Sequence, residues 1–131
     1  MTERHLVPAD RPWAKAVGYS RAVRVGNVVE VSGTAPAGPD GEILHPGDVE
    51  AQARAALRII GEALAEAGAS FEDVVRTRIY LAEATTWEAA GRAHGEVFGE
   101  ILPATTAVEV GGFVDPRILV EIEATAIVPE G

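Results

Sequence analysis

Apolar positions change their spacing several times along this chain, and each change marks an expected element. Tyr19 to Val25 and Val28 to Ser32 are rich in β-branched residues and separated only by Gly26-Asn27. Glycine at the first central position of a two-residue loop suits a type II′ turn, so this pair reads as a β-hairpin. From Asp48 the period lengthens. Val49, Ala53, Ala56, Leu57, Ile60 and Leu64 recur at helical spacing, with Asp48 as cap and Gly68 as a left-handed stop, predicting a helix over 48–67. Val74 to Ala82 then alternates, with Val75, Thr77, Ile79 and Leu81 on one side and Arg76, Arg78 and Tyr80 on the other. Thr85-Thr86-Trp87-Glu88 has the form of a capping box and opens a second helix running to Gly99. The apolar stripe of that helix is thin, and Gly91, Gly95 and Gly99 mark either close packing on a sheet or a weak surface helix. Two further strands are expected over 105–110 and 118–128. The first eighteen residues, with Pro8 and Pro12, and the stretch 35–47, with Pro39-Asp40-Gly41, read as irregular.

The resulting order, ββαβαββ, predicts an α+β fold: one mixed sheet with both helices on the same face, in a single domain over 1–131. Alternation then groups Glu30 with Ser32, Arg76 with Arg78, Thr105 with Ala107 and Glu109, and Glu121 with Glu123 on the face away from the helices. Such a face is either solvated or meets copies of itself around a symmetry axis, where opposite charges pair.

Composition narrows the chemistry. The chain contains no cysteine, which removes disulfides and thiolate catalysis. A net charge of −9 argues against a nucleic-acid partner, since phosphate binding relies on lysine and arginine. No apolar run reaches the ~20 residues needed to cross a bilayer, so no membrane association is expected. No apolar signal core follows Met-Thr-Glu-Arg-His, and a cytoplasmic location is the expectation. His5, His45 and His94 lack ligand spacing, so a metal site is not expected. Glu121 and Glu123, ~6.5–7 Å apart along one strand, have the separation of a glycosidase pair but not the aromatic cleft that goes with one.

Three segments carry a resemblance: Val31-Ser32-Gly33, Pro103-Ala104-Thr105-Thr106-Ala107-Val108-Glu109-Val110, and Leu119-Val120-Glu121-Ile122-Glu123-Ala124. In order and spacing they make the chain similar to the RidA (YjgF) family from Tyr19 to Val128. The resemblance implies a chorismate-mutase-like subunit, a homotrimer with a cleft at each subunit interface, and a small-molecule metabolite as partner. It also implies cofactor-free hydrolysis of 2-imino acids, with an arginine gripping the substrate carboxylate and a glutamate positioning water. Transferred by position, Glu121 is the water-positioning glutamate, Tyr19 the cleft tyrosine, and Ser32-Gly33 the Ser-Gly at the end of the second strand. Thr105 stands where the arginine belongs, Ala107 where a cysteine is usual, and Gly91 where an asparagine faces the cleft.

Thr105 is the decisive departure. A guanidinium clamps a carboxylate through two charge-assisted hydrogen bonds, whereas a hydroxyl offers one neutral donor. Efficient deamination of amino-acid-derived imines is therefore not expected unless another cation serves, with Arg92 the first candidate and Arg76, Arg78 and Arg21 the others. His94, on the same helix face as Gly91, is either a general base or donor in the cleft or a histidine that is partly buried capping a backbone carbonyl or lies on the surface. Arg92 and Glu96 have the spacing of an intrahelical ion pair. The expected function is water addition to a small imine, enamine or related carbonyl compound, with a non-catalytic metabolite-binding or regulatory trimer as the alternative.

Overall fold

The alternating segments pair into one sheet because each buries a single row of side chains beneath the helices. The computed structural model describes residues 3–129. In chain order its elements are β1 (Arg4–Val7), α1 (Ala14–Val17), β2 (Ala22–Val25), β3 (Val28–Thr34), α2 (Val49–Glu66), β4 (Val74–Leu81), α3 (Trp87–Phe98), β5 (Ala104–Glu109) and β6 (Val120–Ile127). The six strands lie in the order β1-β2-β3-β6-β4-β5. All neighbours are antiparallel except β4 and β5, which are joined through α3 and run parallel. Among the described residues no helix is long and apolar enough to cross a membrane.

The predicted hairpin forms, with Val25 opposite Val28 and Gly26 at φ +60°. Asp48 accepts the Ala51 N–H at 3.0 Å and starts α2, and Gly68 stops the chain behind it at φ +79°. Ala53, Ala56, Leu57, Ile60 and Leu64 of α2 pack on Val29, Val31, Ile79, Leu81, Val120, Ile122 and Ala124, and α3 adds Ala90, Ala93 and Phe98 to the same core. The polar Gln52 is fully buried in α2 and fully bonded. Its amide donates to the carbonyls of Leu44 and Arg117 and accepts the Leu119 N–H, so the helix fixes the chain where it enters β6.

Several expectations need correction. The lead-in is not wholly irregular: β1 adds a sixth strand at the sheet edge, and α1 is a single turn closed by Gly18. Thr86 does not cap α3 with its side chain; its hydroxyl bonds the Glu83 carbonyl at 2.7 Å, and Glu109 reaches across from β5 to accept the Ala84 N–H at 2.8 Å. Val75 is exposed because the register of β4 slips between Val74 and Arg76, which puts Val74 in the core instead. Glycines 91 and 95 do not mark close packing, since a Cβ at either would meet nothing within 4 Å. The close approach occurs at Gly61 of α2, where a Cβ would lie 2.7 Å from the Phe71 ring.

The largest correction concerns β5. Its parallel register sets Thr105 beside Thr77 and Ala107 beside Ile79, on the helix side of the sheet and not the opposite face. Every residue of β5 is nevertheless exposed, because this is the outermost strand and α3 leaves it uncovered. Polarity in an edge strand therefore does not report which face is which.

Candidate functional site

Alternation along β6 buries Val120, Ile122, Ala124 and Ala126 under the helices and turns Glu121, Glu123 and Thr125 to the other face. Glu121 opens onto a cavity of about 230 Å³ that it shares with Trp13, Tyr19, Arg21, Gly33 and Val114. Gly33 makes room for the carboxylate: a Cβ there would sit 3.2 Å from Glu121 Oε1. Burial pushes the Glu121 carboxyl above its ordinary value, with Arg21 opposing the shift and Glu123 adding to it.

Arg21 is the fixed charge of this cavity and is only 6% exposed. Its backbone is held on both sides, the N–H donating to Val7 O at 2.8 Å and the carbonyl accepting the Ser32 N–H at 2.9 Å. Its guanidinium donates to Gly33 O at 3.1 Å and Thr34 Oγ1 at 3.2 Å, while Nε has no partner. The charge lies 5.7 Å from the centre of the Tyr19 ring, and the Tyr19 hydroxyl accepts the Trp13 Nε1–H at 2.7 Å. Thus Tyr19, Gly33 and Glu121 are brought together as transferred by position. Ser32 is adjacent but spends its hydroxyl on Ser20 O at 2.7 Å, clamping β3 to the segment ahead of β2.

A second cluster forms on the helix side, at the opposite edge of the sheet. Thr105 Oγ1 lies 2.8 Å from Thr77 Oγ1, which lies 2.8 Å from His94 Nε2. Thr105 Oγ1 also lies 3.2 Å from Pro103 O, to which it donates when Thr77 is the donor of the Thr77–Thr105 contact, and 3.5 Å from His94 Nε2. Thr77 is fully buried. The His94 ring packs on Phe98, with centroids 4.6 Å apart, and burial lowers its pKa below the usual histidine value. Ala107 follows Thr105 on the same face of β5, and at Gly91 and Gly95 of α3 a Cβ would meet nothing within 4 Å.

The other cations take different positions. Arg92 turns away from both clusters and donates to Glu50 of α2 at 2.8 Å, while Glu96 binds Arg54 of α2 at 2.7 Å. The expected Arg92–Glu96 pair is thus replaced by two bonds across the helix–helix seam. Arg76 and Arg78 lie on the uncovered sheet face. There Arg76 donates to Thr106 Oγ1 at 2.7 Å, and Glu123 accepts the Tyr80 hydroxyl at 2.8 Å with Arg78 at 3.8 Å. Among the described residues no three histidine, aspartate or glutamate side chains converge as metal ligands.

The residues transferred by position therefore fall into two clusters on opposite faces of one sheet. Sequence reasoning missed the importance of Trp13 and Thr77 and left the direction of Arg21 open. The one available signal was Thr77 itself, a hydroxyl within an otherwise apolar row.

Comparison with known proteins identifies the fold and the family. The family model described as Endoribonuclease L-PSP matches residues 9–128. A crystal structure from Mycobacterium tuberculosis, described as a member of the YjgF/YER057c/UK114 family, superposes with a TM-score of 0.86 at 46% identity, covering 96% of this chain and 100% of that one. The 3-aminoacrylate deaminase RutC of Acinetobacter baylyi is 36% identical over 82% of this chain and 85% of its own length. The 2-iminobutanoate/2-iminopropanoate deaminase of Mus musculus is 37% identical over 86% of this chain and 83% of its own. On these matches and on the sheet they share, the chain belongs to the RidA (YjgF) family.

Proposed function

We propose that this protein is a cytoplasmic homotrimer that adds water to a small imine, enamine or related carbonyl metabolite in clefts between its subunits. The observation that carries the reading is Glu121: a carboxylate in a lined cavity, desolvated so that it holds a proton more readily, and balanced by the fixed charge of Arg21. A carboxylate tuned in this way takes a proton from attacking water and returns it to a leaving amine.

Placement supports the assembly. Glu121 and Thr105 face opposite sides of the sheet, so one chain cannot present both to one substrate, whereas two adjoining copies can. The uncovered face also carries Leu6, Val25, Val28, Val108 and Ile127 alongside its charged residues, an apolar share suited to contact between copies. The two deaminases among the relatives suggest the substrate class, and Thr105 modifies it. Without a guanidinium at that position, with Arg92 held by Glu50 and with Arg21 bound to Gly33 O and Thr34 Oγ1, 2-imino acids lose their carboxylate clamp. The preferred substrate is then an imine or enamine lacking that carboxylate.

The test generates 2-aminoacrylate in situ, alongside an imine without a carboxylate, and compares wild type, Thr105→Arg and Glu121→Gln. Wild type is expected to favour the carboxylate-free compound, Thr105→Arg to gain on 2-aminoacrylate, and Glu121→Gln to lose both. Turnover unaffected by Glu121→Gln removes the water-positioning role. The displaced Arg92 also favours a second reading, a metabolite-binding trimer without chemistry, which stands if all three proteins are inert yet bind.

A further inference from the structure

We propose that Thr105, Thr77 and His94 form a proton relay, in which the exposed Thr105 hydroxyl exchanges protons with substrate and the imidazole stores them. The inference rests on the imine-hydrolysis reading for its substrate and on local geometry for its existence.

The three groups are continuous. Two contacts of 2.8 Å join a surface hydroxyl, a buried hydroxyl and a ring nitrogen. Thr77 has zero exposure and offers the shorter path, since the direct approach of Thr105 Oγ1 to His94 Nε2 is 3.5 Å against two steps of 2.8 Å. Each hydroxyl has one hydrogen and two lone pairs, so the row has two consistent directions. In one, Thr105 donates to Thr77 and Thr77 donates to Nε2, leaving the Thr105 lone pairs outward to accept from a substrate. In the other, Nε2–H donates to Thr77, Thr77 donates to Thr105, and Thr105 donates to Pro103 O or outward. One proton passing along the row converts the first direction into the second.

The charge environment keeps the ring free to accept and makes any proton it takes a transient one. Burial is the cause of the lowered His94 pKa, so the ring is neutral and able to accept near neutral pH. The charged groups on the surrounding elements are otherwise engaged. Glu50 and Arg54 of α2 bind Arg92 and Glu96 of α3 at the seam; Arg76 and Arg78 of β4 occupy the other sheet face; and Glu109 of β5 bonds the Ala84 N–H.

In the proposed reaction, water attacks the carbon of a protonated imine and gives one proton to the Glu121 carboxylate of an adjoining copy. The resulting carbinolamine then collapses. Its hydroxyl proton passes to Thr105, the Thr105 proton to Thr77 and the Thr77 proton to His94 Nε2, and the C=O bond forms. The C–N bond breaks with its electron pair on nitrogen, which takes the proton held by Glu121 and leaves as ammonia or an amine. Glu121 is restored as a carboxylate, and the imidazolium, with its lowered pKa, releases its proton to solvent.

The test follows the His94 ring nitrogens by ¹⁵N NMR against pH in wild type, Thr77→Val, Thr77→Ser and Thr105→Val, with His94→Gln assigning the signals. The pH dependence of kcat on a carboxylate-free imine is measured in the same proteins. Thr105 is exposed, so Thr105→Val keeps the test decisive even if the buried Thr77→Val fails to fold. The relay predicts that the valine variants displace the His94 resonances, lower kcat by about tenfold or more, and remove the limb that follows His94. Thr77→Ser should restore all three. Unchanged His94 resonances in the folded valine variants overturn the relay whatever the turnover, as does a kcat–pH limb that none of them moves. A wild type inert towards every imine, with the His94 response intact, removes the hydrolase reading and leaves the relay supported.

Discussion

The two clusters handle polarity in opposite ways. Around Glu121 the structure buries charge: Arg21 is almost wholly enclosed, its guanidinium is bound to Gly33 O and Thr34 Oγ1, and the carboxyl is desolvated. Around Thr105 it buries neutral donors and acceptors and leaves one hydroxyl at the surface. The difference teaches where reactivity resides. A buried charge sets the protonation state of its neighbour, whereas a neutral hydroxyl row carries no net charge and passes on the proton that reaches it.

The comparison breaks most sharply at its charged end. Glu121→Gln is expected to lower kcat by ~10²–10⁴-fold, the usual range for a general acid–base group, while leaving the circular-dichroism spectrum unchanged. Next comes Gly33→Ala, whose methyl would press on Glu121 Oε1 at 3.2 Å. Loss of activity is expected with little loss of thermal stability, since the neighbour that must yield is the end of a flexible side chain.

Proton linkage sharpens the contrast. The raised carboxyl of Glu121 adds stability in full below the ordinary glutamate value near ~4.3, and that contribution disappears as pH rises through the raised value. The lowered His94 adds stability above the ordinary histidine value near ~6.5 and loses it as pH falls through the lowered value. Denaturant titrations across pH 4–8 should therefore change slope in opposite senses in Glu121→Gln and His94→Gln.

The smallest expected effect on turnover comes from Arg92→Ala, which severs the Glu50 contact on the outer helix seam and leaves kcat within about twofold, since exposed pairs contribute little. A parallel rise in KM for a carboxylate substrate would instead place Arg92 in the cleft.

The period of the apolar residues was enough to place α2, which buries a full row of side chains, while α3 was legible from its start signal and the β2–β3 hairpin from its β-branched residues and Gly26-Asn27. β1 escaped notice because only Val7 of its four residues is buried, so no alternation is visible. The face of β5 was illegible for a related reason, as neither side of that strand is covered. Glu121, Tyr19 and Gly33 were legible through their motifs. Arg21 was not, because a buried arginine depends on carbonyl and hydroxyl partners that only the irregular end of β3 supplies. Nor could spacing within α3 predict the partner of Arg92, which is set by how α2 lies against it.

The outer edge of β5 has one further consequence. Ala-Thr-Thr-Ala-Val-Glu carries no lysine or proline and a single charge, so it has few of the residues that natural edge strands use to repel one another. A chain kept apart from its neighbours would offer that bare edge to any other extended segment. Dilution or a substitution that weakens subunit contact should therefore show itself first as precipitation and poor recovery on expression, before any change in the chemistry is measured.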